Sequence, residues 1–552
     1  MIHCKKAVLF CLLAAAVVLG LLGSPRATPA QKDEALADQI GAIASRPEYK
    51  HSTFGVEVYS LDDEKVVFAL HGQELFTPGS TTKLLTEGTG LELLGADFRF
   101  HTRVYRTGPI TADGVLKGDL ILVAGGDPNL SGRIQADGTL AFENMDHSYD
   151  GSPDTRAVAG DPLFVIGELA AQVAAHGVMR IEGRVLVDAT LFPEGDRELG
   201  TNVVVSPISV NDNVVDLTVS PGSKEDAPVG LNISPASSYV SFVNKITTGP
   251  AGSKPDIKPP ADTTNADGSH TVTLTGKFPL GGPSILYTYP VPEPSRFAQV
   301  TFVEALREKR IKVDLVPASE KIDFKTLSAN YTEGNVVAER VSPPLSEETK
   351  VTLKVSQNLH ATMMPFILGA ILAHKTQDID QGGFDLEHDF LAKAGLDLSG
   401  ASQADGAGGA QSAFYTPDFM VHYLAFMSKQ KDFAIFEKAL PILGRDGTLW
   451  NIQVSSPAAG HVFAKTGTYG SYDALNKDLM LNGKGLAGYM TTADGRHLAF
   501  SAFVNRVPIS MDDPEAAQKI AGQALGEIAG AIYSTPANKI APVDGVTDSK
   551  QF

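Results

Sequence analysis

Three short groups of polar residues are the part of this sequence that could do chemistry. Ser80-Thr81-Thr82-Lys83 comes first, Ser356-Gln357-Asn358 follows, and Lys465-Thr466-Gly467-Thr468 is the third. Side chains three residues apart share one face of a helix, so the Lys83 amine could reach the Ser80 hydroxyl. A neutral lysine can take the proton of such a hydroxyl, which makes the first group a candidate nucleophile with its base.

The third group predicts a binding surface for an anion. Its lysine, two hydroxyls and glycine follow the apolar stretch His461 to Ala464, which we interpret as an edge strand. A peptide could lie beside such a strand while the Lys465 ammonium holds a carboxylate. Partial desolvation and a second cation both disfavour the protonated form of an amine, so we expect a partly desolvated site to lower the pKa of Lys83, with Lys465 as the second cation.

No single one of these groups is specific. Ser428 to Lys431 repeats the first pattern, and Ser209 to Asn211 and Ser328 to Asn330 repeat the second. Taken alone, each group also fits a helix cap, a turn or a lysine that protects a strand edge. Their order, with an apolar helix after the first and an apolar strand at the third, favours one shared site.

The beginning of the chain indicates export. Lys5 and Lys6 precede an apolar run from Ala7 to Gly23, and small residues follow, so we predict a signal peptide over residues 1–30, with an uncleaved membrane anchor as the alternative. The chain's two cysteines, Cys4 and Cys11, both lie in this segment. The rest of the chain therefore has no disulfide, thiol nucleophile or cysteine zinc site, and we expect it in the periplasm or cell envelope, with peripheral envelope association.

Composition favours a folded enzyme or binding protein. The 552 residues are 43% hydrophobic, enough for two or three cores, and the formal net charge is −18. Such an acidic surface repels nucleic acid, so we expect no nucleic-acid partner. The 13 histidines include no His-Glu-x-x-His, which argues against a zinc peptidase, and we expect neither a metal nor a cofactor.

The elements that must position these groups lie in two kinds of region, which differ in their predicted secondary structure. A hairpin is predicted within His51 to His71, and a helix from Ser80 onward. From about residue 97 short β segments alternate with Gly, Pro and Asp clusters, until helical periodicity returns near residue 336. We predict one catalytic domain from residues 31–96 plus 336–535, an insertion over 97–335 with a nested subdomain at about 205–285, and a mobile tail over 536–552.

The second part of the predicted domain closes the fold. Helical periodicity covers Leu345 to Leu372, two strands flank a turn at Thr492 to Gly495, and an amphipathic helix spans Pro514 to Tyr533. Residues 471–485 form a long connection that could be a flap. The expected fold class is α/β (α+β), an antiparallel sheet flanked by helices with a large inserted mixed α/β region.

These motifs, in this order, resemble the low-molecular-mass penicillin-binding proteins of the D-alanyl-D-alanine carboxypeptidase and endopeptidase type, which carry a large insertion between the first two motifs. The separation of Lys83 from Ser356 is far greater than in serine β-lactamases. Further matching segments are Lys117 to Leu120, Gly125 to Pro128, Ser206 to Ile208 with Asn211 to Asn213, Ser342 to Leu345, and Arg445 to Leu449.

The resemblance implies the β-lactamase and penicillin-binding transpeptidase-like fold and a role for each motif residue. Ser80 would attack the carbonyl between two D-alanines, with Lys83 as base. Ser356 would relay the proton to the leaving amine, and Asn358 would hold the substrate amide.

The remaining implied roles concern the two ends of the substrate, a peptidoglycan peptide ending in D-Ala-D-Ala. Lys465, Thr466 and Thr468 would bind the terminal carboxylate, with Gly467 between them, and backbone N–H groups of Ser80 and Thr468 would form the oxyanion hole. Asp127 would contact the free amino group of a diamino acid in the stem peptide. Its place in a Gly-Gly-Asp-Pro turn has an equally good structural explanation.

Two features leave alternatives open. β-Lactams would acylate Ser80, so a serine β-lactamase is the rival enzyme, and a non-catalytic envelope binding protein is the rival from another class. The family's loop of alternating glycines and serines is here Asp405 to Ala410, which lacks the hydroxyls. The resemblance therefore does not predict how this loop, which forms one wall of the site, would contact the substrate side chain.

Overall fold

The computed structural model describes residues 35–314, 320–511, 513 and 516–540. The predicted signal peptide and the part of the predicted tail beyond residue 540 lie outside the described residues. Within the described ranges, no helix has both the length and the apolar character that crossing a membrane requires.

The strands and helices alternate irregularly along the chain. The strands are β1 Thr53–Ser60, β2 Lys65–Leu70, β3 His101–Arg106, β4 Val115–Leu116, β5 Leu120–Val123, β6 Arg180–Ile181, β7 Val185–Asp188, β8 Val214–Ser220, β9 Gly230–Ser234, β10 Val240–Gly249, β11 Asp256–Ile257, β12 Ala261–Thr264, β13 His270–Pro279, β14 Ile285–Pro290, β15 Val336–Val341, β16 Ala401–Ser402, β17 Phe414–Tyr415, β18 Val462–Asp473, β19 Asp478–Thr491 and β20 His497–Ile509. The α-helices are α1 Leu36–Ala44, α2 Lys83–Leu94, α3 Phe164–Ala175, α4 Pro294–Glu308, α5 Phe324–Leu327, α6 Leu345–Val355, α7 Asn358–Ile371, α8 Ile379–Lys393, α9 Pro417–Met427, α10 Phe433–Ala439 and α11 Gln523–Ser534.

One antiparallel sheet joins the two ends of the described chain. Its strand order is β18-β19-β20-β1-β2, so strands from before and after residues 97–335 pair directly. β18, which carries the third motif, lies at the edge of this sheet, and the predicted edge strand is confirmed.

Helices cover both faces of this sheet, as predicted for the fold class. Along β20 the side chains alternate between two cores, because successive residues of a strand point to opposite faces. Phe500 packs with Leu36 of α1 and Ile528 of α11, whereas Phe503 packs with Leu84 of α2 and residues of α9 and α10. The helix with the first motif is thus anchored on the second face.

The region between residues 97 and 335 builds further sheets around its own core. β15-β3-β5-β7, β14-β8-β9 and β10-β13-β11 form three sheets, with β12 also paired to β13, and α3 and α4 pack among them. β15 pairs with β3, although the predicted catalytic segment resumes at its first residue. The domain limits stay a prediction.

Some elements differ in detail from the sequence interpretation. The helix at Ser80 begins as a 3₁₀ turn, Gly79–Thr82, and becomes α-helical at Lys83. The long connection at residues 471–485 extends the hairpin of β18 and β19 rather than forming a loop. The C-terminal helix begins with a π-helical turn, Gln518–Gly522.

Candidate active site

The first and third motifs touch through their backbones. Gly79 has φ +51°, and a Cβ there would lie 2.5 Å from the Thr468 nitrogen. A Cβ on Gly467 would lie 1.9 Å from the Pro78 carbonyl oxygen. Only glycine permits this approach, which brings Ser80 against β18.

Lys83 links the first motif to the second. Its buried Nζ lies 2.7 Å from Ser80 Oγ, 2.6 Å from Asn358 Oδ1 and 3.1 Å from the Ala407 carbonyl oxygen. A neutral amine has two N–H donors and one lone pair. The two acceptor oxygens and the Ser80 hydroxyl match those three positions, so the geometry suits a lysine that accepts the serine proton.

Burial lowers the pKa of Lys83, as a role as base requires. It lowers the pKa of the lysine to about 8, while the carboxylates of Glu198, Asp405 and Glu87 raise it. Desolvation disfavours the charged ammonium, so a useful fraction of the amine is neutral near neutral pH. The sequence interpretation expected partial desolvation and Lys465 to cause this shift; burial is the main cause, and Lys465 is not among the groups that contribute to it.

A break between two helices positions the second motif. α6 ends at Val355, Ser356 adopts a left-handed conformation with φ +61°, and Asn358 opens α7. Lys465 Nζ donates to Ser356 Oγ at 2.7 Å. Tyr149, which the sequence interpretation missed, donates its hydroxyl to the Ser356 carbonyl oxygen at 2.5 Å.

Lys465 is buried in the third motif. Besides Ser356, its ammonium donates to the Thr466 carbonyl oxygen at 2.8 Å. Burial, then repulsion from Lys83 and Lys484, hold its pKa well below the usual lysine value. Lys465 bonds Ser356 and Lys83 bonds Asn358, so both motif lysines contact residues of the second motif.

The two threonines of the third motif lie on the same face of β18. Thr466 Oγ1 donates to Thr448 Oγ1 at 2.7 Å, which places the Arg445–Leu449 segment beside the motif. Thr468 is exposed, and its Oγ1 accepts from Lys484 at 2.6 Å.

The loop formed by residues 405–410, one wall of the site, is held by hydrogen bonds to its own backbone. The Asp405 carboxylate accepts hydrogen bonds from four successive backbone N–H groups, those of Ala407 to Ala410. Gly408 has φ +80°, and a Cβ there would lie 2.1 Å from the Gly79 carbonyl oxygen. The loop thus packs on the first motif without the hydroxyls of the family pattern.

Asp127 is not hydrogen-bonded to the other predicted site residues. Its side chain is 2% exposed, Oδ1 accepts from the Asn129 N–H, and burial raises its pKa to about 6. Its second oxygen has no partner among the described residues. Contact with a substrate amine stays a prediction.

A buried ionic network lies behind the second motif. Asp212 has φ +54°, and its carboxylate accepts from Arg133, His147, Gln357 and His360. Arg133, His360 and His147 hold the pKa of Asp212 well below its usual value, while Glu348 and Asp212 raise that of His360 to about 10. The network joins the inserted region to Gln357, the middle residue of the motif.

The same network contains a possible metal-ligand group. Asp146, His147 and Asp212 place one ligand atom each within 4.8 Å of one another. Arg133 already bridges the two carboxylates, at 2.8 Å and 2.7 Å. An ion-pair network explains this cluster better than a cation site.

The antiparallel sheet, the helix opened by Lys83 and the three converging motifs define a serine acyl-transfer enzyme of the penicillin-binding class. Comparison with known proteins gives the family. Residues 36–526 match the D-Ala-D-Ala carboxypeptidase 3 (S13) family, and the chain belongs to it.

Known relatives cover most of the chain. The D-alanyl-D-alanine carboxypeptidase of Actinomadura sp. (strain R39) is 28% identical, over 90% of this chain and 85% of the relative. D-Alanyl-D-alanine carboxypeptidase DacB of Haemophilus influenzae is 23% identical, over 82% of this chain and 85% of the relative. The crystal structure of penicillin-binding protein 4 from H. influenzae has the same fold, with a TM-score of 0.67, 20% identity, and coverage of 90% of this chain and 98% of that one.

Proposed function

We propose that this protein is a serine DD-peptidase in which Ser80 is the acylated nucleophile and Lys83 its base. The observation that carries this assignment is the 2.7 Å contact between Lys83 Nζ and Ser80 Oγ, made by a buried lysine. Membership of the D-Ala-D-Ala carboxypeptidase 3 family fixes the class of reaction, hydrolysis at a terminal D-alanyl-D-alanine.

Acylation follows from these contacts. Ser80 Oγ attacks the carbonyl carbon between the two D-alanines while its proton passes to Lys83. The C–N bond then breaks, and the leaving amine takes a proton through the Ser356 hydroxyl, which Lys465 holds at 2.7 Å. Asn358 accepts from Lys83 through Oδ1 and offers its amide N–H groups to the substrate.

The oxyanion and the terminal carboxylate each have their own donors. Backbone N–H groups of Ser80 and Thr468 stabilise the negative charge that develops on the attacked carbonyl oxygen. Lys465 and the Thr468 hydroxyl bind the carboxylate, and the Thr466 hydroxyl joins them by turning its hydrogen from Thr448 to the substrate. Water then attacks the acyl-enzyme and releases the shortened peptide.

We also propose that β-lactams acylate Ser80. In a β-lactam the leaving amine stays tethered to the acyl group, so water is kept from the ester and the complex persists. A structure of H. influenzae penicillin-binding protein 4 complexed with a β-lactam has the same fold, with a TM-score of 0.64. The substrates are peptidoglycan stem peptides and cross-links, which fits an exported protein at the periplasmic or cell-envelope side.

Covalent labelling tests the nucleophile. The purified protein is incubated with a fluorescent penicillin, and the adduct is mapped by mass spectrometry. Ser80→Ala should abolish labelling while the unfolding midpoint is kept. The matched control is Ser428→Ala, because Ser428 opens the other Ser-x-x-Lys sequence and its hydroxyl donates to the Ala425 carbonyl oxygen of its own helix.

The control should be labelled like the unchanged protein. Undiminished labelling of Ser80→Ala would refute the assignment. Release of D-alanine from a stem pentapeptide, and cleavage of a purified cross-linked dimer, measure the carboxypeptidase and endopeptidase activities directly. A protein that is labelled but cleaves neither peptide would support the non-catalytic alternative.

A further inference from the structure

A third buried lysine lies directly behind the third motif. Lys484 is on β19, opposite Thr468 in the pairing of β18 with β19, and is 4% exposed. Its ammonium donates to Thr468 Oγ1 at 2.6 Å and to Gln518 Oε1 at 2.9 Å. Both acceptors are uncharged.

Lys484 has no counter-ion in the described part of the chain. No carboxylate there lies within ion-pair distance of its Nζ, and burial alone lowers its pKa, to about 8. A buried ammonium without an anion is unfavourable, because the lost hydration is not replaced. Such a group is expected where an anion arrives with a ligand.

The contact with Thr468 fixes the direction of that hydroxyl. Oγ1 has one hydrogen and accepts from Lys484 on its buried side. The hydrogen must therefore point away from Lys484, and Thr468 is exposed on the open side of the strand. Lys484 keeps the hydroxyl as a donor toward the solvent-facing site.

A chain of polar contacts connects Lys484 with the other threonine of the motif. Gln518 accepts from Lys484 through Oε1 and donates through Nε2 to the Thr448 carbonyl oxygen at 3.2 Å. The Thr448 hydroxyl in turn accepts from Thr466. Gln518 thus connects Lys484 with the segment to which Thr466 is hydrogen-bonded, whereas the hydroxyl that Lys484 itself orients is that of Thr468.

We propose that Lys484 is a positioning residue that selects substrates with a free terminal carboxylate, by orienting the Thr468 hydroxyl and adding a second positive charge behind it. The inference rests on the proposed function, in which Thr468 binds that carboxylate. Repulsion from Lys484 contributes to the low pKa of Lys465. A carboxylate bound at Thr468 would reduce this repulsion.

The test compares two substrates that differ only in the terminal charge. Nα,Nε-Diacetyl-L-lysyl-D-alanyl-D-alanine and its C-terminal amide are hydrolysed by the unchanged protein, Lys484→Met and Lys484→Arg. Lys484→Met should lower kcat/KM for the free acid on the order of tenfold, less than the loss of a direct donor, and leave the amide nearly unaffected. Lys484→Arg, which keeps the charge, should restore much of the preference for the acid.

The matched control is Lys477→Met. Lys477 is exposed at the turn of the same hairpin, so this change removes the same charge at a distance from the site. It should leave both rates unchanged. The rates of acylation by benzylpenicillin and by its methyl ester are measured for the same variants. This second pair of ligands also differs only in the free carboxylate.

A double-mutant cycle tests the link through Thr468. In a Thr468→Val background, Lys484→Met should cost less than in the unchanged protein, since the hydroxyl that it orients is gone. Equal losses on acid and amide, or a full loss in the Thr468→Val background, would overturn the inference while Ser80 is still acylated. An unchanged protein that neither hydrolyses the peptide nor binds penicillin would overturn the proposed function, and this inference with it.

Discussion

Acylation of Ser80 should accelerate with rising pH, with a midpoint at about pH 8. Lys83 must be neutral to take the proton, and burial lowers its pKa to about 8 from the ordinary 10.5. At pH 7 an amine with the ordinary value is neutral in about one molecule in 3000, whereas a pKa of about 8 gives about one in ten. Burial therefore increases the supply of free base at pH 7 by about 300-fold.

A single substitution should move this midpoint in a known direction. Glu198 is the acid that raises the pKa of Lys83 most, and its buried carboxylate accepts from the Thr201 N–H at 2.5 Å. Glu198→Gln removes the negative charge and keeps an oxygen for that contact. The pKa of Lys83 should fall further, so acylation below pH 7 should become faster, tenfold for each unit of the shift.

The assay is the second-order rate constant for acylation by benzylpenicillin between pH 5.5 and 10, followed by mass spectrometry after rapid quenching. The penicillin carboxylate is ionised throughout this range, but Lys484, whose pKa is also about 8, loses its charge over the same range and weakens the hold on that carboxylate. The profile is therefore measured in parallel with benzylpenicillin methyl ester, which has no anion for Lys484 to attract, and the midpoint for the ester reports Lys83. Glu320→Gln, which removes an acid from a half-exposed ion pair with Arg184, is the control and should leave the midpoint in place. A rate that does not change with pH, or a Glu198→Gln midpoint above that of the unchanged protein, would refute Lys83 as the base.

Three further outcomes follow from the structure. Lys465→Gln should lower kcat/KM on free-carboxylate substrates on the order of 100-fold or more, and Lys465→Arg should lower it less, with both effects smaller on an amidated peptide. Because Asp212 and Glu348 raise the pKa of His360 to about 10, folded His360 keeps a proton that the unfolded chain releases near pH 6.5. Resistance to urea should therefore fall between about pH 6.5 and 10, and His360→Gln should flatten that slope. Gly79→Ala should impair acylation even in folded protein, which circular dichroism checks, because its Cβ would lie 2.5 Å from the Thr468 nitrogen.

The sequence predicted the features that depend on local pattern. Alternation predicted the hairpin of β1 and β2. The Pro-Gly-Ser entry and the leucines that follow predicted the helix after Ser80, and an apolar stretch predicted the strand with Lys465. Convergence of the three motifs came from the resemblance to a family, because spacing along the chain does not itself bring Ser356 to Lys465. The structure shows that contact at 2.7 Å.

The features that the sequence did not predict depend on contacts between distant segments. Tyr149 reaches Ser356 across 207 positions, and Asp212 reaches Gln357 across 145. Tyr149 belongs to no local pattern that marks it as part of a site, and Asp212 lies in the Asn211 to Asn213 segment that resembles the family, which gives it no role. The sequence around Lys484 indicates a lysine on a strand. The fold shows that this lysine is buried beside Thr468.

The inserted region should be required for the second motif rather than simply attached to the catalytic fold. Phe192 and Val205 from this region pack in one core with Leu359 and Met363 of α7, the helix that Asn358 opens. Deletion of residues 97–335 with a short linker should therefore expose that apolar surface and leave Asn358 unpositioned. Penicillin labelling of the deletion variant should be lost.

A single substitution tests the placement of the second motif without removing the inserted region. Tyr149→Phe removes only the hydroxyl that bonds the Ser356 carbonyl oxygen, and no apolar contact need change. It should slow acylation about tenfold or less, as expected for one lost hydrogen bond of about 1 kcal/mol, with at most a small decrease of the unfolding midpoint. A deletion variant that is labelled at the full rate would show that the second motif holds its own geometry, and the insertion would then need another explanation.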